Sequence, residues 1–269
     1  MTKPKILFVY DHKYPKFWMD GLWAALNVLE EDFEVERMNL STNVFSQGPR
    51  LVPDFILGWG AFGSSVDKYL QEWKAKGKKA LCIAGNAIPP SGEDNYNVLF
   101  YETEWYGPQI ANHPNTVRAF GVNTDIYFPS PMPTPIVWDY IGVGAFANWK
   151  RWEKMVAKPG TKLVIGEYQE DNEEESLEIV RNLVSNGVMV SNMINPFELA
   201  QLYSYSRTLY QPADLIGGGE RSVLEAKACG LSVEIEPDNP KLQELLDMKE
   251  VPDHITYAKQ LKKGIMSVI

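Results

Sequence analysis

The stretch that decides the fold is Gly217-Gly-Gly-Glu-Arg-Ser-Val-Leu-Glu-Ala-Lys-Ala-Cys-Gly230, which predicts a glycine turn followed by a short amphipathic helix. Successive glycines permit positive φ angles and close backbone approach. The helix directs free N–H groups and the positive end of its dipole toward the turn, as in many anion sites. Gly230 stands where a glycine commonly ends a helix, and we expect Lys227 to point outward.

Glu225 has two interpretations at this level. Together with Ser222 it matches S-x-x-E, so its carboxylate could close a capping box on the first turn of the helix. Alternatively, the carboxylate faces a bound ligand. The local pattern leaves both interpretations open.

Composition limits the protein class. The 269 residues suit one large or two modest domains, and 45% hydrophobic with 12% aromatic residues is typical of a globular protein. A net charge of −9 argues against a general binder of nucleic acids or anionic membranes. Cys82 and Cys229 lie in apolar stretches, so we expect reduced core cysteines. Without a signal-like or membrane-spanning apolar run, we expect a cytoplasmic protein with no transmembrane segment.

Short apolar runs alternate with helical patterns along the whole chain, which predicts an α/β fold. Four prolines between Gly121 and Pro135 stiffen the chain there, so we expect domains at 1–128 and 129–250, followed by a C-terminal helix within 251–269. Two doubly wound domains would bind a ligand in a crevice at the carboxyl ends of their strands.

A second glycine motif lies at Gly58-Trp-Gly-Ala-Phe-Gly63 and matches G-x-G-x-x-G. It follows the third predicted strand, and no acidic residue stands about twenty positions further on, as the dinucleotide-binding motif requires. We therefore interpret it as strand-to-helix geometry.

The second half of the chain carries three further motifs in order: Phe120-Gly-Val-Asn-Thr-Asp-Ile-Tyr-Phe-Pro129, Val143-Gly-Ala-Phe-Ala-Asn-Trp-Lys150 and Leu224-Glu-Ala-Lys-Ala-Cys-Gly230. They resemble the G-V-D-x-x-x-F-x-P, V-G-R-x-x-x-x-K and L-E-A-x-A-C-G motifs of retaining GT-B glycosyltransferases of the family 4 type. The resemblance covers most of residues 115–245. It implies two Rossmann-like doubly wound domains with a C-terminal helix that crosses back to the first domain.

The same resemblance implies an activity. A nucleotide-diphosphate sugar, with UDP or GDP as the nucleotide, would donate its sugar to the hydroxyl of a sugar or other acceptor, with retention of anomeric configuration. No metal and no additional cofactor would be required. The oligomeric state is left open.

Donor-site residues follow from the resemblance. Lys150, expected to be exposed near a helix start, would contact the donor phosphates, and Glu225 would accept hydrogen bonds from the ribose. Two positions depart from the family: Ala145 replaces an arginine, and Gly217 replaces a glutamate. Arg151 or Arg221 could replace the arginine, and Glu220 or Asp214 the glutamate. The predicted donor site comprises Gly144, Lys150, Arg151, Gly217, Gly218, Gly219, Glu220, Arg221, Ser222 and Glu225, with Lys150, Glu220 and Glu225 as the catalytic residues.

The acceptor side is predicted from strand ends and aromatic residues in the first domain. Its candidates are His12, Trp59, Glu102, Glu104 and Trp105, while His113 is expected to be a turn residue. Two other functions remain open. The departures at Ala145 and Gly217 favour a degenerate nucleotide or sugar-phosphate binder, and His12 with Glu104 would suit a GT-B-type nucleotide-sugar epimerase.

Overall fold

The computed structural model describes residues 2–12, 20–42, 52–72, 78–83, 96–169, 172–216 and 218–269. Packing divides the chain into two units: Met1–Gly121 with Pro252–Ile269, and Val122–Val251. The change of unit lies between Gly121 and Val122, at the beginning of the proline-rich segment, whereas the sequence predicted it between residues 128 and 129. Val122 is fully buried, and the Tyr127 ring lies 6.2 Å from that of Tyr203 in the second unit.

The described strands are β1 Lys5–Tyr10, β2 Glu34–Asn39, β3 Phe55–Gly60, β4 Lys78–Ile83, β5 Val98–Tyr101, β6 Thr116–Arg118, β7 Trp138–Val143, β8 Lys162–Gly166, β9 Met189–Asn192, β10 Ser206–Gln211 and β11 Ser232–Ile235. The described α-helices are α1 Asp20–Leu29, α2 Ser65–Glu72, α3 Glu153–Val156, α4 Glu173–Ser185, α5 Pro196–Ser204, α6 Glu220–Ala228, α7 Pro240–Asp247 and α8 His254–Met266. Short 3-10 helices span Glu104–Gln109 and Asn148–Lys150.

Unit 1 contains a parallel sheet in the order β2-β1-β3-β4-β5-β6. Its first strand is apolar at every position from Ile6 to Val9 because both faces of the sheet are covered. Ile6 and Phe8 belong to one hydrophobic core, and Leu7 and Val9 belong to the core on the opposite face. The unbroken apolar run is therefore what a parallel strand buried on both faces requires.

The C-terminal helix α8 returns to unit 1, where it packs against α1 and the strands β5 and β6. Its buried residues Leu261 and Ile265 join the core of Ile6 and Phe8. Gly264 permits the close approach, since a Cβ at this position would lie 2.5 Å from the Phe100 ring. The predicted return of this helix to the first domain is confirmed.

The glycine motif at residues 58–63 serves packing between a strand and a helix. A Cβ on Gly58 would collide with Leu70 and Val66 of α2, and one on Gly60 would lie 2.8 Å from Ser64 Oγ. Gly63 has a φ of 78° at the turn into the helix. These contacts agree with the interpretation of the motif as strand-to-helix geometry.

Unit 2 contains a parallel sheet in the order β11-β10-β7-β8-β9. From β7 the chain continues to β8 on one side, whereas the later strands β10 and β11 lie on the other. The order therefore reverses between β7 and β10, which is where doubly wound sheets bind ligands. The predicted α/β fold with two Rossmann-like domains is confirmed. Among the described helices, none is both long and apolar enough to cross a membrane.

We expect Leu261→Ala to destabilise unit 1 by about 2–5 kcal/mol, because it leaves a cavity at a fully buried position. Hydrogen exchange should show lost protection in β1 and β5 and unchanged protection in β7 and β10. Lys263→Ala, at an exposed position of the same helix, is the control. Equal loss of protection in both units would contradict the assignment of α8 to unit 1.

Candidate anion-binding site

The candidate site lies at the carboxyl ends of β7 and β10 in unit 2, at the point where the strand order reverses. Gly144 directly follows β7, and the segment 212–219 connects β10 to α6. Parallel strands place these two connections side by side at one edge of the sheet. The predicted glycine turn thus lies at a topological position that favours ligand binding.

Two glycines of the turn have conformations that suit glycine. Gly218 has a φ of 58°, and Gly219, the N-cap of α6, has a φ of 117°. A Cβ on Gly219 would lie 2.9 Å from the side chain of Gln211, so the backbone passes directly over that residue. Gly217, the first residue of the predicted turn, lies outside the described residues.

Gln211 connects the two sides of the strand reversal. Its amide nitrogen donates to the carbonyl oxygen of Val143 at 2.8 Å and to Ser222 Oγ at 2.7 Å, and Ser222 Oγ donates to the carbonyl oxygen of Gly219 at 2.9 Å. Ser222 therefore stabilises the turn from inside the helix. The capping box between Ser222 and Glu225 was a wrong alternative, because the helix begins after Gly219 and has no side-chain cap.

Lys150 is buried, with 6% of its surface exposed, whereas the sequence predicted an exposed side chain. It ends a 3-10 helix, and the left-handed Arg151 (φ 52°) separates it from α3, so it does not begin a helix. A Cβ on Gly144 would lie 3.1 Å from Lys150 Nζ, and one on Gly218 would lie 3.9 Å from it. The absence of side chains at both glycines leaves room for this ammonium group.

Glu220 and Lys241 form a buried ion pair beside Lys150. Lys241 Nζ lies 2.8 Å from Glu220 Oε1, and their side chains are 0% and 5% exposed. Burial tends to raise the pKa of the Glu220 carboxyl, but the charge of Lys241, with that of Lys150, holds this pKa below its usual value. Glu220 is therefore an anion between two cations.

The pKa of Lys150 is lowered to about 8. Burial is the main cause, the Glu220 carboxylate opposes it, and the Lys241 ammonium adds to it. Two ammonium groups and one carboxylate leave this buried cluster with an excess of positive charge at pH 7. A bound anion would compensate for that excess.

Arg151, a candidate phosphate ligand, is occupied by the protein itself. Its guanidinium group donates to the carbonyl oxygens of Pro212 and Ala213 at 2.6 and 3.0 Å, and to both carboxylate oxygens of Asp238 at 2.6 and 2.8 Å. These bonds fix the start of the β10–α6 connection. We therefore assign Arg151 to the support of the loop.

Glu225 is 5% exposed on α6 and lies near two residues that respond to its charge. Burial raises the pKa of Tyr203 well above its usual value, and the Glu225 carboxylate adds to this. Burial followed by Glu225 also raises the pKa of the Cys229 thiol to about 12. The carboxylate is thus held beside α5, within the first two turns of α6.

Arg221 is half-buried on α6, and its charge, like that of Asp214, acts on Lys150.

Lys227 does not point outward as predicted. Its ammonium group donates to the carbonyl oxygens of Leu245, Leu246 and Met248, each at 2.7 Å, and so ends α7. The free carbonyls at a helix C-terminus account for this inward orientation.

The acceptor candidates of unit 1 do not form one cluster. His12 follows β1, whereas Glu102, Glu104 and Trp105 follow β5; β3 and β4 lie between these strands, a separation of about 14 Å. Trp59 packs partly against the core.

Side chains after β5 have structural partners. Glu104 lies 3.6 Å from Arg118, and the Trp105 ring lies 5.1 Å from that of Tyr106. His113 is buried and hydrogen-bonded to the carbonyl oxygen of Tyr96 at 2.8 Å, which agrees with the expected turn role.

Lys241 and Gln211 were missed by sequence reasoning. Lys241 precedes Leu245 by one helical turn, so a lysine on the apolar stripe of α7 was the available signal. Gln211 ends a strand directly after the apolar Leu209 and Tyr210, and only its burial distinguishes it. Among the described residues, no group of three or more metal-ligating side chains is found.

Comparisons with known proteins agree on the fold. No model of a protein family matches the chain, and no curated protein matches it significantly. A sucrose-phosphate synthase from Thermosynechococcus elongatus is similar in structure, with a TM-score of 0.68 and 13% identity over 99% of this chain and 90% of that chain. Anabaena Alr3699/HepE, crystallised with UDP and glucose, has a TM-score of 0.64 and 13% identity over 98% of this chain and 89% of that chain.

A third similar structure is described as a UDP-N-acetylglucosamine 2-epimerase from Listeria monocytogenes. Its TM-score is 0.53, with 13% identity over 97% of this chain and 92% of that chain. The chain therefore has the two-domain GT-B fold. At these identities the likeness concerns the fold alone.

We expect Gly219→Ala to destabilise unit 2 more than Gly187→Ala. Both glycines have positive φ angles, but nothing lies within 4 Å of a Cβ on Gly187, whereas a Cβ on Gly219 meets Gln211. The backbone conformation should cost each variant about 1 kcal/mol or more, and the collision should add about 1–3 kcal/mol at residue 219. Urea unfolding measures the difference, and equal losses would contradict the close approach to Gln211.

Proposed function

We propose that this chain is a glycosyltransferase that moves a sugar from a nucleotide-diphosphate donor to an acceptor hydroxyl with retention of anomeric configuration. The observation that carries the proposal is the buried, net positive cluster of Lys150, Lys241 and Glu220 at the strand reversal of unit 2. Burying a cation in this way is costly, and a bound anion compensates for the cost.

The diphosphate would lie against Lys150 and the first turn of α6. The N–H groups of this turn and the dipole of the helix favour anions, and the positive φ angles of Gly218 and Gly219 permit backbone approach. Arg221, in the same turn, is a further candidate ligand. No donor group in this set requires a metal.

Charge develops on the phosphate as the donor reacts. The bond between the sugar C1 and the phosphate oxygen breaks, the acceptor oxygen bonds to C1 on the same face, and the acceptor proton passes to the leaving phosphate. Groups that stabilise the leaving phosphate lower the barrier most. Lys150 is therefore the residue that we assign to leaving-group stabilisation, and no enzyme nucleophile is required.

Glu225 is proposed to hold the ribose. A carboxylate offers two acceptor oxygens to two neighbouring hydroxyl groups. Its environment on α6 fixes its position, since the carboxylate lies near Tyr203 and Cys229.

UDP is the nucleotide that we favour. The support comes from the similar Anabaena protein, crystallised with UDP and with UDP-glucose. For the acceptor we retain His12 and Trp59 as candidates near the strand reversal of unit 1, between β1 and β3. The residues after β5 remain weaker proposals because of their partners.

Two other functions have specific support. The glycine at position 217 and Ala145 favour a binder without turnover, and the similar Listeria protein favours an epimerase. Incubation with UDP-glucose and UDP-N-acetylglucosamine separates the three functions. Release of UDP with a transferred or free sugar supports the transferase, an epimerised sugar nucleotide supports the epimerase, and binding without either product supports the binder.

We expect Lys150→Met to weaken UDP binding by about 1.5–3 kcal/mol, because a charge-assisted hydrogen bond to phosphate is lost. Isothermal titration calorimetry at pH 7 measures the loss. Lys162→Met, at the amino end of β8, is the control and should leave UDP affinity unchanged. Unchanged affinity in the Lys150 variant would remove this residue from the site.

The pKa of about 8 also predicts how UDP affinity depends on pH. The ammonium form of Lys150 binds phosphate, and it predominates below pH 8 and is lost above it. Affinity should therefore fall above pH 8 by up to about tenfold per pH unit, until it reaches the affinity of Lys150→Met. Lys150→Arg keeps its charge and should give a flat profile between pH 7 and 9.5.

We expect Glu225→Gln to abolish a preference for ribose over 2′-deoxyribose. Glutamine presents an amide donor where the second hydroxyl must donate, which should cost about 1–3 kcal/mol for UDP. The measurement compares UDP with 2′-deoxy-UDP in the wild type and the variant. If both proteins bind the two nucleotides equally, Glu225 does not contact the ribose.

A further inference from the structure

The ion pair between Glu220 and Lys241 connects the beginnings of two helices. Glu220 is the first residue of α6, and Lys241 is the second residue of α7. A carboxylate is favoured at a helix N-terminus, whereas an ammonium group there is opposed by the dipole. Lys241 thus occupies a fully buried position that is unfavourable for its charge.

Stability alone does not explain this pair. Apolar side chains of similar volume often replace buried ion pairs at no cost or with a gain in stability. The neighbouring residue Leu242 and the next residue on the same face, Leu245, are both fully buried and apolar. A lysine in this setting indicates that its charge has a role.

The second oxygen of Glu220 and the ammonium group of Lys150 both lie near Gly218. A Cβ on Gly218 would lie 3.4 Å from Glu220 Oε2 and 3.9 Å from Lys150 Nζ, so both groups border the same small space. Lys241 Nζ lies 2.8 Å from the other oxygen, Oε1. The carboxylate is thus paired with Lys241 and also acts on the Lys150 ammonium.

We infer that Lys241 is a positioning residue, which fixes Glu220 through the ion pair and so sets the place and charge of the Lys150 ammonium for the donor phosphate. The inference rests on the proposed function of the site. It assigns Glu220 to the support of Lys150 and not to the replacement of the family glutamate at position 217, for which the sequence offered Glu220 or Asp214.

Four charged groups act on Lys150. Glu220 and Asp214 stabilise its charged form, whereas Lys241 and Arg221 destabilise it. Without the charge of Lys241, the Glu220 carboxylate interacts with Lys150 alone, and the repulsion between the two ammonium groups is removed. Both changes raise the pKa of Lys150. Removing the charge of Glu220 has the opposite effect.

The experiment measures the titration of Lys150 and the binding of UDP in the same proteins. The lysine side chains are labelled with 13C at Cε, and the Lys150 signal is assigned by its loss in Lys150→Arg. Its midpoint is followed by NMR in the wild type, Lys241→Met and Glu220→Gln. UDP affinity is measured by calorimetry from pH 7 upward, above the second phosphate pKa of about 6.

We expect the midpoint to rise in Lys241→Met and to fall in Glu220→Gln. At pH 9, the wild type should bind UDP about tenfold more weakly than at pH 7, and Lys241→Met should lose less over this range. An unchanged midpoint in Lys241→Met, with wild-type binding of UDP, would overturn the inference and leave the proposed function intact. If the midpoints of the two variants shift in opposite directions but the wild type does not bind UDP, the charge coupling is supported and the proposed function is overturned.

A double variant keeps the test valid if a single change unfolds the protein, and a further variant is the control. The double variant Glu220→Gln/Lys241→Met leaves neither partner charged, so it avoids an unpaired buried charge. Its Lys150 midpoint should fall below that of the wild type, because the Glu220 charge acts on Lys150 more strongly than that of Lys241. Lys158→Met removes an ion pair with Glu234 elsewhere in unit 2 and should leave the midpoint unchanged. A shift as large as that of Lys241→Met would overturn the inference.

Discussion

A lysine remains charged inside a protein only when nearby groups compensate for its lost hydration, and in unit 2 the Glu220 carboxylate does so for two lysines. This requirement brings the first residues of α6 and α7 together and places Lys150 beside them. Glycines at 144 and 218 leave the necessary space. The arrangement of the site thus depends on one shared anion.

The surrounding loops are fixed by hydrogen bonds to backbone carbonyl groups. Arg151 adopts a left-handed conformation from which it binds the carbonyls of residues 212 and 213, and Asn239 donates to the carbonyls of residues 213 and 214 at 3.0 and 2.8 Å. Lys227 does the same at the end of α7. Polar side chains near the site therefore serve mainly to satisfy buried backbone groups, as a loop without regular structure requires.

The motifs located the site without assigning correct roles to all their residues. The pattern ending at Lys150 identified the lysine, but its expected place near a helix start suggested an exposed position, and the left-handed residue that follows was not predicted. The S-x-x-E pattern suggested a capping box, whereas the glycine before Glu220 took the N-cap. Arg151 matched the expected charge and was already bound to Asp238. Local patterns record residue type and spacing, and partners depend on the packing of distant segments.

The sequence by itself determined the alternation of strands and helices and the α/β class, and its resemblance to a known family implied the return of α8. Continuous apolar runs and helical stripes are local consequences of burial on two faces or one, and they can be read directly. Only the tertiary structure decided that Lys241 faces Glu220, that Gln211 bridges Val143 and Ser222, and that Lys227 points inward. These contacts join segments far apart in the chain. Burial shifts the pKa values of the charged side chains, and it arises only when the segments pack together.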